Sequence, residues 1–188
     1  MKDGTFFRGN TKKKILLLLL GGVALGLATS PRVQKRVFNT LCRDWRDLNR
    51  RNLYRHIKDF EEHKMIKYVN KDEWWNIELT EKGKREAKKI KLNEIKILKP
   101  KKWDKKWHLV IFDVPEKNKI ARDALRRKIK EIGLVEIQKS TFIHPYPCKS
   151  EIDKIIKFFE VKKFVLQLEI IDLDDLLENK LVKKFKLS

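Results

Sequence analysis

The sequence predicts an α+β protein, with an N-terminal winged helix-turn-helix followed by a ferredoxin-like β-α-β(β)-α-β sandwich. Three observations carry that prediction. From residue 50 to residue 92 the apolar spacing runs helical, then alternating, then helical again, and a polar tetrad, Asn70–Glu73, interrupts the alternating part. From 107 to 171 strand-like and helix-like runs take turns. A lysine-rich stretch around Pro100 separates the two patterns.

Composition narrows the function. The chain has 188 residues, with 46 Lys and Arg against 26 Asp and Glu, a net charge of +20. Hydrophobic residues make up 41%, so the chain can bury a core and is not a disordered basic tail. Such an excess of cations favours nucleic acid or an anionic membrane surface as partner. The helix and wing patterns that accompany it point to double-stranded DNA. Cys42 and Cys148 stand far apart and form no CxxC, which suggests reduced thiols in a cytoplasmic setting. His144 and Cys148 form a single metal-like pair, whereas a structural zinc takes four ligands, so no zinc is expected. No Ser-His-Asp set, P-loop or dinucleotide fingerprint is present, which sets most enzyme classes aside.

Residues 1–14 read as a basic tail. Ile15 to Ala28 is an apolar run of fourteen residues, interrupted by Gly21, Gly22 and Gly26. An anchor or signal segment has the same form. A spanning helix needs about 20 apolar residues, however, and the run stops at Thr29, Ser30 and Pro31. The expectation is therefore a buried first helix, and no membrane partner. Residues 31–47 read as a second helix, with Val33, Val37 and Leu41 spaced by four. Leu48 and Asn49 supply a turn and an N-cap.

The next helix, from Arg50 to about His63, is the candidate recognition element. Leu53, Ile57 and Phe60 recur at helical spacing and form its inner face. Arg51, Arg55 and Lys58 fall on the opposite face, with Tyr54 beside them and Arg50 at the start. Arginine can pair bidentately with guanine in the major groove, and lysine can neutralise phosphate. A hairpin follows, with strands at Met65–Val69 and Trp74–Leu79, and Lys71 sits at its tip within reach of a phosphate or the minor groove. Trp74 and Trp75 point to opposite faces of their strand, one inward. Thr80 can cap a closing helix that starts at Glu81 and runs through Ala87 and Ile90. The winged-helix domain therefore spans 15–92, and 93–106 is a basic connector. Trp103 and Trp107 are expected to anchor that connector to the second domain.

Trp107 to Phe112 is a strongly apolar strand, ended by Asp113, Val114, Pro115 and Glu116. A helix follows from about Asn118 to Ile132, with Gly133 as its terminating glycine. Leu134 to His144 is extended, either as two short strands or as one bulged strand. Pro145 and Pro147 stop it. Ser150 with Asp153 has the form of a capping box ahead of a helix whose core face is Ile152, Ile155, Ile156 and Phe159. Phe164 to Ile171 closes a domain spanning 107–171. Residues 172–188 form an extension: Asp174 and Asp175 sit at a helix start, and Leu181–Leu187 is either a strand for a partner subunit or a frayed tail.

The stretch Ile77–Gly83 (IELTEKG) resembles the wing exit of many bacterial winged-helix repressors. Trp107–Ile171 resembles the central domain of the PaaX-type repressors of phenylacetate catabolism, which is itself similar to the small CRISPR-associated nuclease that partners the spacer integrase. The resemblance rests on Val110–Glu116 (VIFDVPE), Arg122, Leu125 and Arg126, Gly133 and Leu134, Gln138–Phe142 (QKSTF), and His144–Tyr146 (HPY).

The resemblance implies a homodimeric transcriptional repressor that binds operator DNA and is released by an acyl-coenzyme A. Operator contact carries over to Arg51, Arg55 and Lys58 by helix position. No residue carries the effector over, so any small-molecule effector stays unassigned. The chain is also shorter than those repressors, and its glycine-rich first segment departs from them. In the nuclease family the aspartate ending the first strand binds a divalent metal at the dimer two-fold, and Asp113 matches that position. The alternative function is therefore an adaptation factor or a metal-dependent endonuclease using Mg²⁺ or Mn²⁺ at Asp113. The simpler role for Asp113 is to end a strand. The regulator reading requires no cofactor.

Overall fold

Two units divide the chain between Asn93 and Glu94, and each builds its own antiparallel sheet among helices. The computed structural model describes residues 7, 10–21, 25–27, 50–71 and 74–187. The expected helix over 31–47, the Leu48–Asn49 turn, Cys42 and positions 72–73 of the hairpin tip lie outside them.

In the first unit the apolar run does not form one helix. Helix α1 spans Asn10–Leu20 and stops at Gly21, and Leu25–Leu27 then forms strand β1. Gly21 marks the end of the helix, because glycine lowers helix stability and frees the backbone to turn. The helix also starts inside the segment expected to be a tail, and so brings Lys12, Lys13 and Lys14 into regular structure. Its inward side is Ile15, Leu16 and Leu19. No described helix is long and apolar enough to cross a membrane.

Helix α2 spans Arg50–Glu62, β2 Ile66–Lys71, β3 Trp74–Leu79 and α3 Glu81–Asn93. The sheet order is β1-β3-β2, with Leu25 opposite Ile77 on one side of β3 and Ile66 opposite Leu79 on the other. Leu53, Ile57, Phe60, Met65, Ile66, Ile77, Leu79, Ala87 and Ile90 close a single core with the apolar side of α1.

The turn from α2 into β2 is tightly specified. Lys64 takes a left-handed φ of 54°, and the Met65 N–H returns to the Phe60 carbonyl at 2.8 Å, which ends α2 with paired carbonyls. The far end of the hairpin folds onto the same place. Thr80 N–H donates to the Met65 carbonyl at 2.9 Å, and Thr80 Oγ1 donates to the Lys64 carbonyl at 2.8 Å while accepting from Gly83 N–H at 3.1 Å. Thr80 is thus the N-cap of α3 and also a clasp on the end of α2.

A second clasp ties α1 to α2. Lys12 Nζ lies 2.8 Å from Asp59, and His56 Nδ1 lies 3.7 Å from the same carboxylate. The Lys12 hydrogen bond, more than any other influence, holds the Asp59 carboxyl below its ordinary range. Burial pulls the His56 imidazole below its ordinary value near 6.5, and Lys12 and Arg55 push it the same way.

In the second unit β4 (Trp107–Phe112), β5 (Val135–Gln138), β6 (Thr141–His144) and β7 (Val165–Ile170) pair in the order β5-β6-β4-β7. The Leu134–His144 stretch resolves into two strands with a bulge between Glu136 and Gln138. Helices α4 (Lys119–Glu131) and α5 (Lys149–Phe158) supply Leu125, Ile129, Ile152, Ile155 and Ile156 to the interior. The sheet face on their side carries Phe112 and Phe142, stacked with ring centroids 5.6 Å apart. Gly133 ends α4 at φ +107°, and Leu134 N–H reaches back to the Ile129 carbonyl at 3.2 Å, as expected of a terminating glycine.

Three sequence expectations change here. Residues 181–187 are neither a strand nor a frayed tail. Asp174 caps a helix, α6, spanning Asp175–Phe185, by accepting from Leu176 and Leu177 N–H. Leu173, Leu177, Leu181 and Phe185 recur every fourth residue, which suits a helix and not a strand. They pack with Trp107, Ile143, Trp103, Val135 and Ile170, so the segment completes the domain instead of extending it. The Ser150–Asp153 capping box does not form. The N-cap of α5 is Cys148, directly after Pro147, which leaves Ser150 inside the first turn, bonded to Glu151. The closing strand starts at Val165, because Lys162–Phe164 forms a 3-10 turn. Trp103 and Trp107 meet edge to face at 5.0 Å and anchor the connector as expected.

Two predictions follow from the first unit's clasps. A Cβ built on Gly83 would sit 2.0 Å from the Met65 carbonyl oxygen, so Gly83→Ala must displace backbone. Urea unfolding should read a loss of roughly 1–3 kcal/mol, the range for overpacking. For His56, the unfolded chain takes up the proton first as pH falls through its ordinary value near 6.5, so stability drops from there down to the lower native value. In His56→Gln the fall of the urea midpoint over that window should be shallower than in the parent chain.

Candidate nucleic-acid interface

Helix α2 has two chemically distinct sides. Leu53, Ile57 and Phe60 are buried, whereas Arg55 and Lys58 are exposed. The separation follows from the helical period, because residues three and four apart share a face. Arg50 and Arg51 lie in the first turn of the same helix and Tyr54 in the next, and Lys71 ends β2; their side chains lie outside the description.

Several contacts fix the orientation of this helix. The Lys12–Asp59 ion pair holds it from the α1 side, and Tyr68 OH donates to Glu61 at 3.2 Å from β2. Lys82 Nζ donates to the His63 carbonyl at 2.9 Å, which adds a cation where the helix dipole is negative. Sequence reasoning missed Lys12, Asp59 and His56. The visible cue was Lys12 standing three and four residues before the buried Ile15 and Leu16, which places it on the helix and not in a tail.

The second unit divides the residues behind the family resemblance between the two ends of its sheet: Asp113, Arg126 and Ser140 lie at one end, and Gly133 and His144 at the other, where His144 pairs with His108. Phe112 N–H donates to the Ser140 carbonyl, and Asp113 N–H to the Phe164 carbonyl, each at 3.0 Å. Arg126 donates to Ser140 Oγ at 3.2 Å and pairs with Glu136 at 2.9 Å, and Lys130 joins the same carboxylate. The Lys130 hydrogen bond is the main reason the Glu136 carboxyl stays below its ordinary range. Arg122 bonds Glu116 at 2.8 Å and also points at the Val114 carbonyl. Arg122, Arg126 and Ser140 thus tie one end of the sheet to α4.

The Asp113 carboxylate is exposed at the end of β4. Among the described residues no group of three or more His, Cys, Asp or Glu side chains could hold a metal ion. Glu116, the next acid along, is engaged by Arg122 and Lys119. One chain therefore offers Asp113 as a single carboxylate, which does not fit a complete Mg²⁺ or Mn²⁺ site.

The His144–Cys148 pair has a structural explanation. Burial pushes the Cys148 thiol up to about 12, away from the thiolate that a metal requires. His144 is buried, accepts the Tyr146 N–H at 3.1 Å, and meets the rings of Tyr146 and Phe185 edge-on.

Comparison with known proteins places this geometry. Residues 100–173 match the family described as the PaaX protein central Cas2-like domain. No curated protein matches the chain. The matched span holds all four strands of the second sheet together with α4 and α5, so this part of the chain is similar to a PaaX-type central domain.

Proposed function

We propose that this chain is a DNA-binding transcriptional regulator, a repressor in sense, that acts as a homodimer. The observation that carries the proposal is the division of α2, with Leu53, Ile57 and Phe60 inward and Arg55 and Lys58 outward. Helix, hairpin and helix, with β1 added beside β3, fit a winged helix-turn-helix in which α2 is the recognition helix. The β5-β6-β4-β7 order with α4 and α5 fits a ferredoxin-like sandwich. The PaaX-type central domain and the net charge of +20 support the same reading.

In this reading two copies present their α2 helices to successive major grooves, about 34 Å apart. Arg55 reads a base edge, Lys58 neutralises a phosphate, and Arg50, Arg51, Tyr54 and Lys71 contribute to backbone contact. The competing reading, a metal-dependent endonuclease, rests on the exposed Asp113 and needs ligands from a second copy.

A mobility-shift assay with genomic fragments, including the protein's own promoter, separates these readings. A regulator retains some fragments in the presence of competitor DNA and cleaves none. If competitor strips every fragment equally, the sequence-specific proposal fails. Cleavage that requires Mg²⁺ or Mn²⁺ and disappears in Asp113→Ala would favour the endonuclease. Arg55→Ala should weaken retained binding by roughly 1–3 kcal/mol and relax preference at one position, whereas Lys58→Ala should weaken all sequences alike and lower the salt slope by about 1.

A further inference from the structure

Helix α3 carries its charge in an unusual way. Lys82, Lys84, Arg85, Lys88, Lys89 and Lys91 are all exposed on it. Glu81 and Glu86 are its only acids, and each is taken by one lysine, Lys84 and Lys89 respectively, at 2.7 Å. Among the described residues Arg85, Lys88 and Lys91 have no carboxylate partner. At 100° per residue, Lys84, Arg85, Lys88 and Lys91 fall within about a third of the helix circumference. Lys84, Lys88 and Lys91 stand at i, i+4 and i+7, a row about 10 Å long. Like charges three or four residues apart repel, and a cation in the first turn opposes the helix dipole. A helix that served only its own stability would alternate acids with these cations. Glu81, the one acid in the row, feels the field they make. The Lys84 hydrogen bond, the largest influence, holds its carboxyl below the ordinary range, and Lys88 and Arg85 press it the same way. The scaffold is fixed. Ala87, Ile90 and Leu92 are buried on the other side of α3, and the Thr80 clasp and the Lys82–His63 bond tie its first turn to the end of α2. Strand β3 runs six residues from the hairpin tip to Thr80, so α3 starts about 20 Å from that tip.

We propose that Lys84, Arg85, Lys88 and Lys91 of α3 form a second DNA contact, which takes duplex phosphates outside the groove that α2 enters and reads no base. The inference rests on the DNA-binding part of the proposed function and adds a surface to it. Two features of the row select a duplex as the occupant. The first is spacing. Phosphates on one strand advance about 3.4 Å along the duplex axis, so a row about 10 Å long faces about three of them in succession. A duplex offers that regular spacing anywhere along its length. The second is the lack of an apolar centre. Protein interfaces are depleted of charge at their core and gather aromatic side chains there, and this row is cationic from end to end. Held on an ordered helix, its cations exchange diffuse counterions for fixed phosphates, which makes the contact indifferent to sequence and steeply dependent on salt.

Fluorescence anisotropy of the full chain on a labelled DNA duplex of arbitrary sequence, read across a salt series, tests the proposal. Arg85→Ala, Lys88→Ala and Lys91→Ala together should flatten the slope of log affinity against log salt by about 3, because each lost phosphate contact removes about 0.9. Arg85→Ala with Lys91→Ala should flatten it by about 2. Alanine is the best helix former, so α3 persists in both variants and their urea midpoints should match or exceed the parent's. Lys96→Ala, Lys99→Ala and Lys101→Ala remove the same net charge from exposed positions of the connector. That set should flatten the slope by about 1 or less. Equal flattening by the α3 and connector sets would make the effect one of net charge and overturn the assignment. A slope unchanged by the α3 changes, or one that changes on duplex RNA but not on duplex DNA, would overturn it too. The regulator reading fails separately. If competitor strips every genomic fragment equally while the α3 changes still flatten the slope, that reading goes and the α3 contact stands. If fragments are retained and the slope does not move, the reverse holds.

Discussion

The first unit depends on how closely α3 can start against the end of α2. The Met65 carbonyl accepts from Thr80 N–H at 2.9 Å, and a side chain at Gly83 would collide with that same oxygen. Because Gly83 has no Cβ, α3 can begin where the hairpin returns, and Thr80 can serve both helices at once. The hairpin between them is then held at both ends. The inward placement of Leu53, Ile57 and Phe60 follows, and so does the outward placement of Arg55 and Lys58. An exposed cation held on an ordered helix loses less freedom when it meets a phosphate or base than one on a mobile tail.

The second unit is organised by burial on both faces of one sheet. On one face Phe112 and Phe142 stack beneath α4 and α5, and on the other Trp107 and Ile143 disappear under α6. The ion pairs among Arg122, Arg126, Lys130, Glu116 and Glu136 are partly exposed, and such pairs are worth about 0–1 kcal/mol each. Fully burying a large apolar side chain is worth about 1.5–3 kcal/mol. The apolar layers therefore supply most of the stability, and the pairs fix the register of strand ends and turns. This explains why the resemblance motifs mix apolar residues with Arg122, Arg126 and Ser140. Arg122, Arg126 and Ser140 tie one end of the sheet, and Asp113 beside them keeps its carboxylate toward solvent.

The functional reading joins these two kinds of order. Charge attracts DNA without regard to sequence, and its effect falls with salt. In the proposed reading, selectivity needs a rigid helix face that can be matched to base edges, which the α2 clasps favour, and a fixed spacing between two such faces, which the proposed dimer would provide. The two requirements fall on different residues, so affinity, selectivity and assembly can be disturbed separately.

Much of this was legible in the chain. Period and punctuation marked α2, β2, β3, α3, β4, α4 and α5, because each has a strong local pattern and a nearby stop such as Gly133 or Pro147. The inner and outer sides of α2 were also readable, since a helix face is a matter of spacing alone. The fate of segments whose local pattern suits more than one partner was decided only by the tertiary structure. The run from Ile15 to Ala28 became helix and strand because β3 had an open side for Leu25–Leu27. Residues 175–185 carry a helical period of their own, but only the packing showed that this helix covers Trp107 and Ile143. Lys12 reaches Asp59 and His56 only when α1 and α2 pack together, and Thr80 and Gly83 find Met65 only when the hairpin closes. Local sequence sets the period of an element, whereas its partners are set by which buried surfaces and open hydrogen-bonding groups remain once the other elements have packed.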